Sequence, residues 1–240
     1  MMRGGSPLLA LLHVCDSLFP TGGFAHSDGL EAAVAEGRVS SGADLGAWMD
    51  VVLDESLGRS EALAVVLAWR AYTENRADDL EALDAEVHAL RPSSTARTAS
   101  RAMGARLLKT WRAIHPELAI DRLAGQPAGA RNRAGAADLR VTLPVAFGSI
   151  CASAGIDARA AAEGFIYTRL AATVSSAMRL MPIGQTEAHA LLARTLARVP
   201  ATLDAIDDRL ARLERPGAFA PAFDVATMAQ QHVRSRLFLS

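Results

Sequence analysis

Eight residues have side chains soft or basic enough to ligate a metal or activate a nucleophile: His13, His26, His88, His115, His189, His232, Cys15 and Cys151. A metal held on a helix needs ligands three or four residues apart on one face, and a loop site needs a close pair such as Cys-x-x-Cys. No two histidines share such a spacing, and the two cysteines lie far apart in the chain. A phosphate cradle of the form GxxxxGK[ST], a GxGxxG turn, a GxSxG elbow and an HExxH pair are all missing, and Gly22-Gly23 is too short to wrap a nucleotide. These patterns point away from metal hydrolysis, acyl transfer and phosphoryl transfer. The expectation is no catalytic residue, no metal site and no cofactor. Each histidine then reads as a surface or hydrogen-bonded side chain, and each cysteine as a buried, inert thiol in a reducing, cytoplasmic setting.

The elements that carry these residues are expected to be helices. Half of the 240 residues are hydrophobic but only 5% are aromatic, and alanine and leucine supply most of the apolar content. Both favour helix, whereas the β-branched and aromatic residues that favour strands are sparse. Leu8, Leu11, Leu12 and Cys15 recur at helical spacing, and Ser27 to Glu36 reads as a second helix. Ser41 and Asp44 form a capping box ahead of Leu45, Trp48, Met49 and Val52. Ser60 opens another helix, apolar on every side from Ala62 to Trp69, as in a buried core. Residues 77–90 are amphipathic, Pro92 breaks the chain, and Met103, Leu107 and Trp111 stack four apart on a long helix. Pro116 starts a short helix, residues 124–138 form an irregular Gly- and Ala-rich loop, Pro144 and Asp157 each open a helix, and Pro182 starts or kinks a further one. The stripe Ile166, Leu170, Val174, Ala177 and Met181 marks the buried side of one of these. The reading is a single all-α bundle of about ten helices over residues 1–215, followed by a linker and C-terminal tail over 216–240 with one last helix.

Net charge is −1, yet residues 1–90 carry a net of −10, residues 91–140 a net of +7 and the remainder +2. Such asymmetry marks a binding face or acidic and basic helices that neutralise one another; the second is the plainer reading. The basic stretch lacks interleaved aromatics for base stacking, so nucleic acid is not expected. The short apolar run Leu8–Leu12 is too brief for a secretory signal or a membrane span.

Five blocks of the sequence resemble a known family. Asp16 to Glu31 (DSLFPTGGFAHSDGLE) is similar to the N-terminal signature of the UreF family of urease accessory proteins, with Ala25 where a small serine is usual. In this block Gly22 and Gly23 permit a tight or positive-φ turn, Phe24 is expected to plug into the core, and Ser27 to cap the helix carrying Glu31. His26 and Gly29 complete the signature. Ser100 to Leu108 resembles the family's mid-chain Ser…Gly-Arg-x-Leu block, with its arginine shifted by Ala105. Leu143 to Gly148 resembles His-x-Pro-Val-x-x-Gly, with Thr142 at the position of the histidine, so no role of that histidine carries over. Ser175 to Thr186 resembles the Ser-Ala-x-Arg-Leu…Leu-Gly-Gln block and supplies Arg179, Gly184 and Gln185 as structural residues. Gln231 to Ser240 resembles the family's His-x-x-x-x-Arg-Leu-Phe-x-Ser terminus.

The resemblance implies an all-α, non-catalytic urease maturation factor that forms homodimers in the cytoplasm. It implies binding to UreD (also called UreH), recruitment or regulation of the GTPase UreG, and delivery of nickel to apo-urease by the assembled complex. Nickel is then cargo of the complex and not a cofactor held here. A generic helical adaptor, or an enzyme with an unfamiliar helical site, are the competing classes. Because exposed Leu-Phe-Leu at a chain end is unfavourable unless covered, three covers are open for the tail: the chain's own core, a dimer partner or another protein. The resemblance favours the third, with UreD as the partner, bound through His232, Arg234, Arg236, Leu237, Phe238 and Ser240 with Phe238 as anchor.

Overall fold

The computed structural model describes residues 6–116, 118 and 141–240. These form eleven α-helices and no strand: α1 Pro7–Cys15, α2 Leu30–Ala35, α3 Gly42–Val51, α4 Ala62–Thr73, α5 Ala77–Ala89, α6 Ser94–Ile114, α7 Leu143–Ser153, α8 Ala158–Leu180, α9 Gln185–Leu196, α10 Val199–Ala211 and α11 Pro221–Ala229. The fold is all-α. The expected short helix after Pro116 and the loop over 124–138 lie outside the described residues.

The centre is built from helices with no polar face. α4 is apolar on every side from Ala62 to Trp69, and Leu63, Ala64 and Val65 are fully buried. It packs against α7, whose residues Leu143 to Cys151 are all buried. The stripe Phe165, Ile166, Leu170, Val174 and Ala177 turns α8 onto this pair, and α6 brings Met103, Leu107 and Trp111 from the other side. α5 closes a satellite cluster with Leu80, Leu83 and Val87 against Ala64, Ala68, Ala71 and Val145.

Helix starts follow local chemistry. Ser41 and Asp44 make the reciprocal capping box, Ser93 and Asp157 cap α6 and α8, and Pro144, Pro200 and Pro221 occupy first turns. Three boundaries differ from the sequence reading. No break precedes Ser60: α3 runs into α4 through a π-helical stretch, Val52–Glu61. The second helix starts only at Leu30, because Asp28 and Gly29 hold positive φ angles of 51° and 83°. The last helix ends at Ala229 and is followed by a 3₁₀ turn, Gln230–His232, after which the chain is irregular. α11 belongs to the same core as the body: Ala226 is fully buried and Phe223 stacks on Trp48 with ring centroids 5.3 Å apart.

Candidate functional site

The C-terminal tail meets the loop that follows α1. After α11 the tail folds back over the loop between α1 and α2, and the hydrogen bonds between them are mostly to backbone. Leu239 N–H donates to the Ala25 carbonyl at 2.7 Å, while the Ser240 carbonyl accepts from Ser27 N–H at 2.5 Å, Asp28 N–H at 3.3 Å and the Ser27 hydroxyl at 3.2 Å. His26 Nδ1 lies 2.7 Å from the Ser240 hydroxyl. Beneath this layer Glu31, only 4% exposed, accepts from the Leu237 amide at 2.6 Å, the Phe238 amide at 3.3 Å and Gln230 Nε2 at 2.5 Å. Gln230 turns its other end to the backbone of α2, where its Oε1 accepts from Ala32 N–H at 3.1 Å. A buried carboxylate is tolerable because each of its oxygens is hydrogen-bonded.

Two glycines shape the loop. Gly22 has φ of 82°, the left-handed turn foreseen for the pair, whereas Gly23 starts the 3₁₀ turn Gly23–Ala25. Gly29 is more constrained still: a Cβ there would lie 2.6 Å from the Thr227 nitrogen, so α11 can approach only a glycine. Ser27 Oγ accepts weakly from Glu31 N–H at 3.5 Å, but the residue at the cap position of α2 is Gly29.

Aromatic residues take the opposite places from those expected. Phe24 is 55% exposed, and its carbonyl, not its ring, faces the body, where it accepts from Arg179 Nη1 at 3.1 Å. Phe19 fills the core in its stead, edge-on to His13 and near Trp111. Phe238 is buried within its own chain at 2% exposure, with the Arg179 guanidinium 4.3 Å above its ring. Leu237 and Leu239, at alternate positions, face outward and are exposed. His232, Arg234 and Arg236 are exposed on the preceding turn. Gly184 caps α9 with an ordinary negative φ and open space around it, so no crowding requires glycine there; Gln185 begins α9 and is exposed.

Behind the loop lies a charge cluster that the sequence reading passed over. Asp28 pairs with Arg169 of α8, Arg169 Nε is 3.6 Å from Glu61, and Glu61 is bound by Arg91 at 2.5 Å. Burial pushes the Asp28 carboxyl up, but Arg169, Arg91 and His26 outweigh it and hold it below the ordinary range. Burial lowers the His26 pKa; Asp28 opposes this, and Arg169 and Arg106 reinforce it. The available signal for Arg169 was a lone arginine between Ile166 and Leu170 of an otherwise apolar stripe.

These hydrogen bonds hold the tail against the loop. Burial pushes the Cys15 thiol up to about 12 and Cys151 well above its ordinary value, so neither is a thiolate nucleophile. Among the described residues no group of three or more His, Cys, Asp or Glu side chains is placed to hold a metal, and no helix is long and apolar enough to cross a membrane.

The UreF family model matches residues 39–196, which leaves both halves of the joint outside it. Full-length relatives cover them. A urease accessory protein UreF of Arthrobacter sp. is 30% identical over all of this chain and all of its own. The UreF of Methylibium petroleiphilum is 31% identical over 99% of this chain and 95% of its own, and that of Cereibacter sphaeroides is 31% identical over 96% and 97%. The matched helical body, together with a relative 30% identical over the whole chain, makes this chain a member of the UreF family.

Proposed function

We propose that this chain is a urease maturation factor of the accessory kind its relatives' name describes, acting as a scaffold and not as a catalyst. In this reading it works in the cytoplasm as a homodimer and binds UreD/UreH. With it, the chain recruits or regulates the GTPase UreG, so that nickel passes to apo-urease as cargo. It contacts neither nucleic acid nor membrane.

One observation carries the reading: the two blocks that bear the family's end signatures are joined into a single surface. Its inner layer is buried and hydrogen-bonded. Its outer layer displays Phe24, Leu237 and Leu239, with Arg179 and Arg236 also exposed. Exposed apolar side chains on a fixed backbone, with arginines nearby, suit a protein interface. The sequence carries no phosphate-loop motif, so this reading assigns GTP hydrolysis to UreG and not to this chain.

The test uses substitutions that leave the buried layer alone. Leu237→Asp and Leu239→Asp should preserve the helical circular dichroism signal and melting temperature while weakening capture of purified UreD/UreH at least tenfold. Capture at unchanged affinity by both variants would remove this surface from the proposal.

A further inference from the structure

Arg169 stands where three parts of the chain meet. Its side chain is 12% exposed, on α8 between the fully buried Ile166 and Leu170. It donates to the Asp28 carboxylate of the tail-binding loop and faces Glu61 at the end of the π-helical stretch. A guanidinium this deep is tolerable only with acids around it, and an acid left there alone would be costlier than the intact pair. Asp28 is also the residue whose N–H reaches the Ser240 carbonyl, and it does so from a left-handed φ of 51°, directly before Gly29 at 83°. Aspartate tolerates that conformation better than most residues but does not prefer it. With Asp28 held there, the amides of Ser27 and Asp28 converge on one carbonyl oxygen, a small concave anion-type nest.

We propose that Arg169 is a positioning residue for the docking surface: gripping the Asp28 carboxylate from inside the body, it keeps the Ser27 and Asp28 amides aimed at the Ser240 carbonyl and so holds the tail in place. Its biological meaning rests on the docking reading above; its geometry does not.

Amide hydrogen exchange on the full chain tests it, in Arg169→Gln, Asp28→Asn and the double variant. The expected result is exchange at least tenfold faster at Ser27, Leu237, Phe238 and Leu239, with amides of α4 and α7 changed by less than twofold. Asp28→Asn keeps the turn chemistry and removes the charge, so it should release the tail as Arg169→Gln does. The double variant should release it no further, because the two residues act as one unit. Unchanged protection of the tail in both single variants overturns the proposal, as does equal acceleration in tail and core. If Arg169→Gln does not fold, Asp28→Asn decides alone. Capture of UreD/UreH measured in parallel separates the two ideas: a released tail with undiminished capture leaves the role of Arg169 standing and removes the docking reading.

Discussion

At the scale of single residues, Glu31 ties the tail to α2. Its carboxylate is the shared acceptor for two tail amides and for Gln230. Glu31→Gln is nearly the same shape but brings an NH₂ into a site where every partner is a donor, so at least one donor loses its acceptor. Losing such a buried bond costs about 1–3 kcal/mol. The expected outcome is a lower urea midpoint together with rapid exchange of the Leu237 and Phe238 amides; retention of both in Glu31→Gln would show that the tail is held by other contacts. Arg179→Ala should act more weakly, by about 1 kcal/mol, since it removes one bond to the Phe24 carbonyl and one cation–π contact with Phe238. His26 adds a pH dependence. Its pKa is lowered in the folded chain from an ordinary value of 6.5, so the unfolded state binds the proton more readily. The stabilisation is therefore present above that ordinary value and is lost as pH falls from it toward the folded value. The urea midpoint should fall on acidification below about pH 6.5, and His26→Gln should flatten the profile in that window. These residues were legible to different degrees. The glycines and polar residues of the N-terminal signature stood out because a turn needs them, but a sequence does not say which side of the backbone Phe24 takes. Asp28 and Arg169 are 141 positions apart, so no local spacing joins them.

Among the elements, most of the helices were readable, because apolar spacing and capping chemistry are local. Ser41 with Asp44, Asp157, and the proline that starts α7 each act within one turn. What escaped was set by contacts between elements. Ser60 has the chemistry of a helix start, yet packing carries the helix through it as a π-helical stretch. Leu237, Phe238 and Leu239 looked like an uncovered apolar end, and only tertiary structure divides them into a buried Phe238 and two exposed leucines. Glycines inside helices belong to the same class. A Cβ on Gly148 of α7 would overlap the Val65 carbonyl of α4, and one on Gly104 of α6 would overlap the Val141 carbonyl ahead of α7. Backbone cannot yield as a flexible side chain can. Although alanine has the higher helix propensity by about 1 kcal/mol, Gly148→Ala and Gly104→Ala should each destabilise by roughly 1–3 kcal/mol through overpacking. Chemical denaturation measures this, and a stabilised Gly148→Ala would mean that α4 and α7 can separate at little cost.

Over the whole molecule, the uneven charge resolves partly by neutralisation. Acids within residues 1–90 meet arginines from the C-terminal half: Asp50 and Asp54 with Arg198, Glu86 with Arg215, and Asp28 with Arg169. The exposed pairs contribute little individually, so the ends of the chain are held chiefly by the buried layer around Glu31 and Phe238. That distinction decides where the chain can be cut. Removing residues 216–240 would take α11 with its buried Ala226 and the Phe223–Trp48 contact, and would open the common core. Removing only residues 233–240 uncovers the cradle of Phe238 and leaves Glu31 with Gln230 as its remaining tail-side donor. Burial of one phenylalanine is worth about 1.5–3 kcal/mol. For a chain of this size, that corresponds to a melting temperature lower by roughly 3–12 °C. The shortened chain should therefore remain helical and folded, melt lower, and capture UreD/UreH at least tenfold more weakly. Full capture by a folded, shortened chain would place the docking surface elsewhere on the body. Loss of cooperative melting would instead assign residues 233–240 to the core, and the exposed-leucine variants would then carry the test of docking.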